Sequence, residues 1–191
     1  MAELLVDYIT SLDGYASGEG WPGFWGLEGP EYLAWLDGLE KSAEGGYTTL
    51  MGATTYRLMS DFAIESDDPT LVALTEAPKV VFSTTLENPL AWDNSGLVTG
   101  DPVEAVKSMK EDGTSMRTVG SLTLSRSLLE AGLVDRFRVV VFPVITGKTR
   151  LERIYDGYPD VRLDMVSSRT FDGRLQLLEY APTVIAGPPG E

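Results

Sequence analysis

Between Phe137 and Phe142 the chain places Val139, Val140 and Val141 in unbroken succession. A strand with one wet face alternates apolar and polar residues. A continuous β-branched run instead needs cover on both faces, as in a parallel sheet held between helical layers. This segment, 136–145, therefore restricts the fold to a sheet buried by helices, and the remaining sequence supplies both.

Short apolar runs at 4–9, 47–51, 79–83, 96–99 and 116–119 have strand length and strand composition. Between them lie helical stretches. Pro30 suits the first position of a helix reaching residue 43, whose apolar face holds Tyr32, Leu33, Trp35, Leu36 and Leu39. Further helices are predicted over 54–59, 69–76, 102–111 and 122–131, the last closed by Gly132. Near the end, Leu163 and Met165 precede Asp172-Gly173, and Leu175 and Leu177 follow it, which reads as an antiparallel hairpin. After Tyr180 the sequence reads as a loose tail. The expected architecture is a three-layer α/β fold whose mostly parallel, twisted sheet ends in a C-terminal antiparallel hairpin. A length of 191 residues fits one core, so a single domain over 1–180 and a flexible tail over 181–191 are expected.

Charge and missing residue types remove several functions. With 29 acidic against 15 basic residues, the net charge of -14 repels nucleic acid and anionic lipid. An anionic ligand must then be gripped locally, by backbone N–H groups and helix N-termini. The chain has no cysteine and no histidine. Disulfides, thiolate nucleophiles, Cys/His metal sites and Ser-His-Asp chemistry are therefore excluded, and acid-base work falls to carboxylates, Tyr, Lys or water. The first ten residues read as a strand rather than a signal peptide, and no apolar run has membrane-spanning length. A cytoplasmic location is expected.

Open α/β sheets bind ligands at the carboxyl ends of their strands. Four such ends carry informative residues: Ser11-Leu12-Asp13-Gly14, Met51-Gly52-Ala53-Thr54-Thr55-Tyr56, Ser83-Thr84-Thr85 and Val119-Gly120-Ser121-Leu122-Thr123. Each alone reads first as ordinary turn and helix-cap chemistry. Their joint order, continued by Leu129-Glu130-Ala131-Gly132-Leu133-Val134-Asp135 and Phe142-Pro143-Val144-Ile145-Thr146-Gly147, resembles the dihydrofolate reductase superfamily. Within it, the chain is most similar to small bacterial proteins like the reductase domain of riboflavin-biosynthesis deaminase-reductases.

That resemblance implies an NAD(P)H-dependent oxidoreductase acting on a small heterocycle, a ribosylaminopyrimidine or a pterin relative. NADPH would lie across the carboxyl edge. Gly52, Thr54 and Thr55 would face its phosphates from one helix start, and Gly120, Ser121, Leu122 and Thr123 from the other. Ser83 and Thr84 would adjoin the adenosine, and Ile9 and Ala16 the nicotinamide. Asp13, Glu31 and Tyr32 are the candidate catalytic positions. The resemblance also implies a homodimer, for which the 139–145 strand could serve.

Three positions depart from the family pattern. Ala53 stands where a basic residue usually follows the motif glycine, which leaves NADH possible and Arg57, one turn on, as a substitute. Gly120-Ser121 replaces paired glycines whose peptide is often cis, and Ser121 reads equally as a plain N-cap. Tyr32 occupies the place of the folate-binding carboxylate, which argues against folate reduction. Trp21, Phe24 and Trp25 form an aromatic loop read as a lid or a subunit contact. Deaminase chemistry of the zinc type would need Cys and His that this chain lacks. The competing reading is a noncatalytic nucleotide-binding or dimeric interaction protein that keeps the fold.

Overall fold

In the computed structural model, residues 2–20, 25–42, 46–64 and 66–188 are described. The elements run β1 (Leu4–Ser11), α1 (Pro30–Ser42), β2 (Thr48–Gly52), α2 (Ala53–Ala63), α3 (Pro69–Glu76), β3 (Lys79–Phe82), β4 (Ser95–Val98), α4 (Pro102–Glu111), β5 (Met116–Thr118), α5 (Leu122–Glu130), β6 (Arg136–Phe142), β7 (Val161–Phe171) and β8 (Leu175–Val184). Eight strands form one sheet in the order β4-β3-β2-β5-β1-β6-β8-β7. All neighbours from β4 to β6 are parallel, and β8 and β7 close the sheet antiparallel.

Because strand side chains alternate between faces, β1 feeds two cores. Leu4, Val6 and Tyr8 join Leu50, Met116, Val106, Leu124 and Leu128 beneath α4 and α5. Ile9 turns the other way, toward Tyr32, Val140, Phe142 and Phe171 beneath α1, and Met51, Tyr56, Val81 and Trp92 continue that layer under α2 and α3. Val139 and Val140 are thus buried on opposite sides, as the valine run requires.

Local signals set most boundaries. Asp68 and Asp101 accept first-turn N–H groups of α3 and α4, each followed by proline at the first helical position. Asp172 (φ 51) and Gly173 (φ 65) are both left-handed, the geometry a two-residue hairpin turn demands.

The N-terminus of α1 is built from a distance. Asp172 accepts the N–H groups of Glu31 and Tyr32 at 3.0 and 3.2 Å, while the Glu31 carboxylate accepts the Asp172 N–H at 2.6 Å. A Cβ on Gly29 would press into the Asp172 carboxylate, which is why glycine precedes this helix.

Three expectations are corrected. The tail does not begin at residue 181: Ala181 to Val184 complete β8, paired with Asp164 to Val161. The valine strand ends at Phe142 rather than 145, because Pro143 lacks the N–H that would continue the ladder. That strand also cannot serve a dimer edge, since β1 and β8 occupy both of its sides.

Candidate functional site

The sheet order places β2 beside β5, so the turns leaving their carboxyl ends are neighbours. Gly52 begins α2 and Gly120-Ser121 begins α5. Ser121 Oγ accepts the Gly52 N–H at 2.7 Å and donates to Thr55 Oγ1 at 2.9 Å. A Cβ on Gly120 would lie 3.1 Å from Thr55 Oγ1, and Gly120 itself has φ 55, so both space and backbone favour glycine. The two helix starts proposed to share one ligand therefore meet.

Ser121 does so without acting as an N-cap. Its backbone is left-handed (φ 63) and its hydroxyl makes no cap bond to its own helix, pointing instead across to α2. Among the described residues Asn88–Pro89 is the cis peptide bond, so the Gly120–Ser121 peptide is trans. Helices α1, α3 and α4 start on aspartate caps. Those at this edge differ: no side chain caps α2 or α5, and neither has an acidic residue in its first turn. Their partial positive ends are left facing the space where an anion would be favoured.

The remaining candidates fall around this junction. Ile9 lies at the carboxyl end of β1 in the α1-side core, and Ala16 is half-buried on the other face. Thr54 and Thr123 are exposed, and Leu122 is half-buried. Ser83 folds its own turn, accepting the N–H groups of Thr85 and Leu86 at 3.0 and 3.1 Å, with Thr84 exposed between. Arg57 reaches this turn, donating to Thr85 Oγ1 at 3.2 Å.

The three acid-base candidates are employed otherwise. Asp13 accepts from Ser11 Oγ at 2.6 Å and from the N–H groups of Thr146 and Gly147 at 3.2 and 3.3 Å. Desolvation alone would raise its pKa, but these hydrogen bonds hold it down at about 2. Tied to the 146–147 turn, this carboxylate joins two carboxyl-end loops. Glu31 is bound to the Asp172 amide, as above. Tyr32 is buried, its ring meeting Trp35, Phe142 and Phe171 at centroid distances of 5.7, 5.5 and 5.8 Å. Burial, then the negative charge of Asp7, push its hydroxyl pKa upward. Trp25 is buried against Phe142, which makes it core, while Trp21 and Phe24 lie outside the described residues.

Two features escaped the sequence reading. Beneath α1, Arg138 pairs with Asp7 through two contacts of 3.0 and 2.6 Å and lies 5.1 Å from the Trp35 ring. Nearby, Glu28 Oε2 is buried with no hydrogen-bond partner among the described residues, and the Glu28 charge acts on Tyr32. Beside the first turn of α5, a pocket of about 480 Å³ is walled by Tyr15, Leu122, Thr123 and the segment 150–156. The basic spacing Lys148, Arg150, Arg153 was its signal in the sequence.

Comparison with known proteins agrees with this fold. The sequence model of the RibD C-terminal domain matches residues 2–177. A curated relative, uncharacterized protein YyaP of Bacillus subtilis (strain 168), is 27% identical over 184 residues, covering 93% of each chain. Among solved structures, a putative riboflavin biosynthesis protein from Shewanella sp. PV-4 superposes with a TM-score of 0.69 at 18% identity, covering 96% of this chain and 99% of that one. A diaminohydroxyphosphoribosylaminopyrimidine deaminase/5-amino-6-(5-phosphoribosylamino)uracil reductase from Thermotoga maritima gives 0.65 at 16% identity, covering 95% of this chain but 57% of that one. These likenesses share the fold, and among the described residues no helix is long and apolar enough to cross a membrane. Residues 2–177 carry the match, and the chain belongs to the RibD C-terminal domain family, which supports a reductase of the riboflavin-pathway type.

Proposed function

We propose that the chain is an NAD(P)H-dependent reductase of a small heterocycle, a ribosylaminopyrimidine or a pterin-like relative. The observation that carries this reading is the junction of Gly52, Thr55 and Ser121, where two uncapped helix starts meet. The fit to a dinucleotide is chemical: the chain carries a net charge of -14, yet at this edge neither helix start has a side-chain cap or a first-turn acid, and the Gly52 amide and the Ser121 and Thr55 hydroxyls, bonded to one another here, are groups a phosphate can engage.

In this reading Gly52, Thr54, Thr55, Gly120, Ser121, Leu122 and Thr123 hold the phosphates. Ser83, Thr84 and Arg57 hold the adenosine end, with Arg57 doing for a 2′-phosphate what Ala53 cannot. Ile9 and Ala16 border the nicotinamide. The bound cofactor supplies the hydride; the chain supplies position and exclusion of water. With Asp13 tied to the 146–147 turn, Glu31 bound and Tyr32 packed away, Glu28 is the carboxylate assigned to relay the accompanying proton from solvent. Its neighbour Leu27 packs in the same cluster as Ile9. A homodimer remains part of the proposal, through the β7 edge where Leu163, Met165 and Val166 are exposed.

Titration with NADPH and NADH, followed by energy transfer from tryptophan to the reduced nicotinamide, tests the reading. Saturable binding of NADPH is expected. Arg57→Ala should weaken it about tenfold, the loss of roughly one charge-assisted bond, and leave NADH unchanged. Glu28→Gln should lower turnover without changing NADPH affinity. Absence of saturable binding by either nucleotide would favour the noncatalytic alternative.

A further inference from the structure

The 480 Å³ pocket beside α5 is lined by three arginines: Arg126 on the helix, and Arg150 and Arg153 on the segment after β6. In a chain with nearly twice as many acids as bases, clustered cations are expected to be neutralised by neighbouring carboxylates. Glu152 and Asp156 do line the same pocket. Yet none of the ion pairs among the described residues involves Arg126, Arg150 or Arg153. Among the described residues, Arg126 Nε is buried with no hydrogen-bond partner. A buried guanidinium donor left unpaired costs free energy that a ligand oxygen would recover.

The arginines are also held in place. Gly157 leaves room for the Arg126 head group, since a Cβ there would lie 2.9 Å from Arg126 Cζ. The segment is stitched to the loop after β1 by antiparallel bridges, Tyr15 to Arg153 and Gly18 to Arg150. Arg150 lies over the Tyr15 ring at 6.0 Å, and Arg153 Nε lies 3.2 Å from the place a Gly14 Cβ would take. Backbone pairing thus fixes two arginines opposite a third on the helix. Guanidinium forks so placed match the oxygens of a phosphate.

We infer that the pocket of Arg126, Arg150 and Arg153 is a phosphate-binding subsite, adjoining the Gly52–Thr55–Ser121 junction through Leu122 and Thr123. It stands on the three arginines and does not require the cofactor reading. The phosphate could belong to a phosphorylated substrate or to the dinucleotide, and the two sources differ in the test.

Inorganic phosphate is titrated into the full chain, with binding read by phosphorus NMR, in wild type, Arg150→Gln, Arg153→Gln and Arg126→Gln. Saturable binding is expected, weakened about tenfold by each substitution. Arg150 and Arg153 are exposed, so their variants keep the fold, and circular dichroism checks this for all three. Repeating the titration with NADPH present separates the sources. Phosphate binding that persists assigns the subsite to a substrate; competition, with NADPH weakened by the same variants, assigns it to the cofactor. Either pattern supports the subsite. It is overturned if phosphate fails to saturate in wild type, or if all three variants bind it within twofold of wild type.

Discussion

Ser121 joins two opposed energetic effects, and two substitutions separate them. Ser121→Ala removes the hydroxyl that accepts the Gly52 N–H at 2.7 Å and bridges to Thr55. The amide is partly buried, so its loss of an acceptor costs about 1–3 kcal/mol. For a chain of this size each kcal/mol lowers Tm by about 2–4 °C, so a fall of roughly 5 °C is expected. Ser121→Gly removes the same hydroxyl but relieves the left-handed backbone at φ 63, which a side chain holds at a cost of about 1–2 kcal/mol. Glycine should therefore recover most of the loss and lie a few degrees above alanine. Thermal unfolding followed by circular dichroism measures both. If glycine falls as far as alanine, the backbone carries no strain. If alanine leaves Tm unchanged, the hydroxyl bridge does not join α2 to α5, and the shared ligand site loses its structural basis.

Gly29→Ala forces the Asp172 carboxylate from the start of α1, so it should cost about 1–2 kcal/mol, the worth of an N-cap, and almost nothing further in an Asp172→Ala background. Urea unfolding of the two single variants and the double variant gives the coupling; full additivity would contradict the clash. Asp7→Asn leaves the buried Arg138 charge unpaired and should destabilise by about 3–5 kcal/mol, whereas a joint Asp7→Leu, Arg138→Met replacement should recover much of this. Asp13 has a folded pKa of about 2, below the ordinary carboxylate value. Its stabilisation is then complete above an unfolded pKa of about 3.9 and disappears as pH falls through the folded value. The stability gap between wild type and Asp13→Asn should close over that acid window, and a gap that persists below it would refute the linkage.

What the sequence disclosed is what local chemistry determines. Pro30, the Asp172-Gly173 turn and the glycines at 52 and 120 each act on their own few residues, and each was found where it was read. The missed contacts join distant segments. Asp172 caps a helix 141 positions earlier, and Asp13 is tied to Thr146 across 133. Both residues were legible as turn formers, but nothing in their neighbours encodes a second partner. The same holds for Glu31 and Tyr32: helix position was correct, while the partners that engage them, Asp172 for Glu31 and Phe142 and Phe171 for Tyr32, come from far along the chain. The end of β8 was missed for another reason. Ala181 to Val184 pair only with β7, leaving both faces partly exposed, so burial imposes no alternation.

The position of the site follows from one topological fact. Strands β2 and β5 are separated by the 63 residues of chain between Gly52 and Met116, yet adjacent in the sheet. Two glycine-led turns therefore leave the same edge side by side, and a serine on one can complete the backbone of the other. A chain with so acidic a surface repels anions at long range, a repulsion that salt screens over about 10 Å. Within that distance the start of α5, without a side-chain cap, and three arginines in no ion pair among the described residues lie beside Leu122 and Thr123, with the start of α2 next to them across the Ser121 bridge. If the proposed sites hold, selectivity for a ligand with phosphate at defined positions would arise from this contrast: a diffuse negative field discourages anions in general, and only one that reaches both sites gains enough contacts to overcome it.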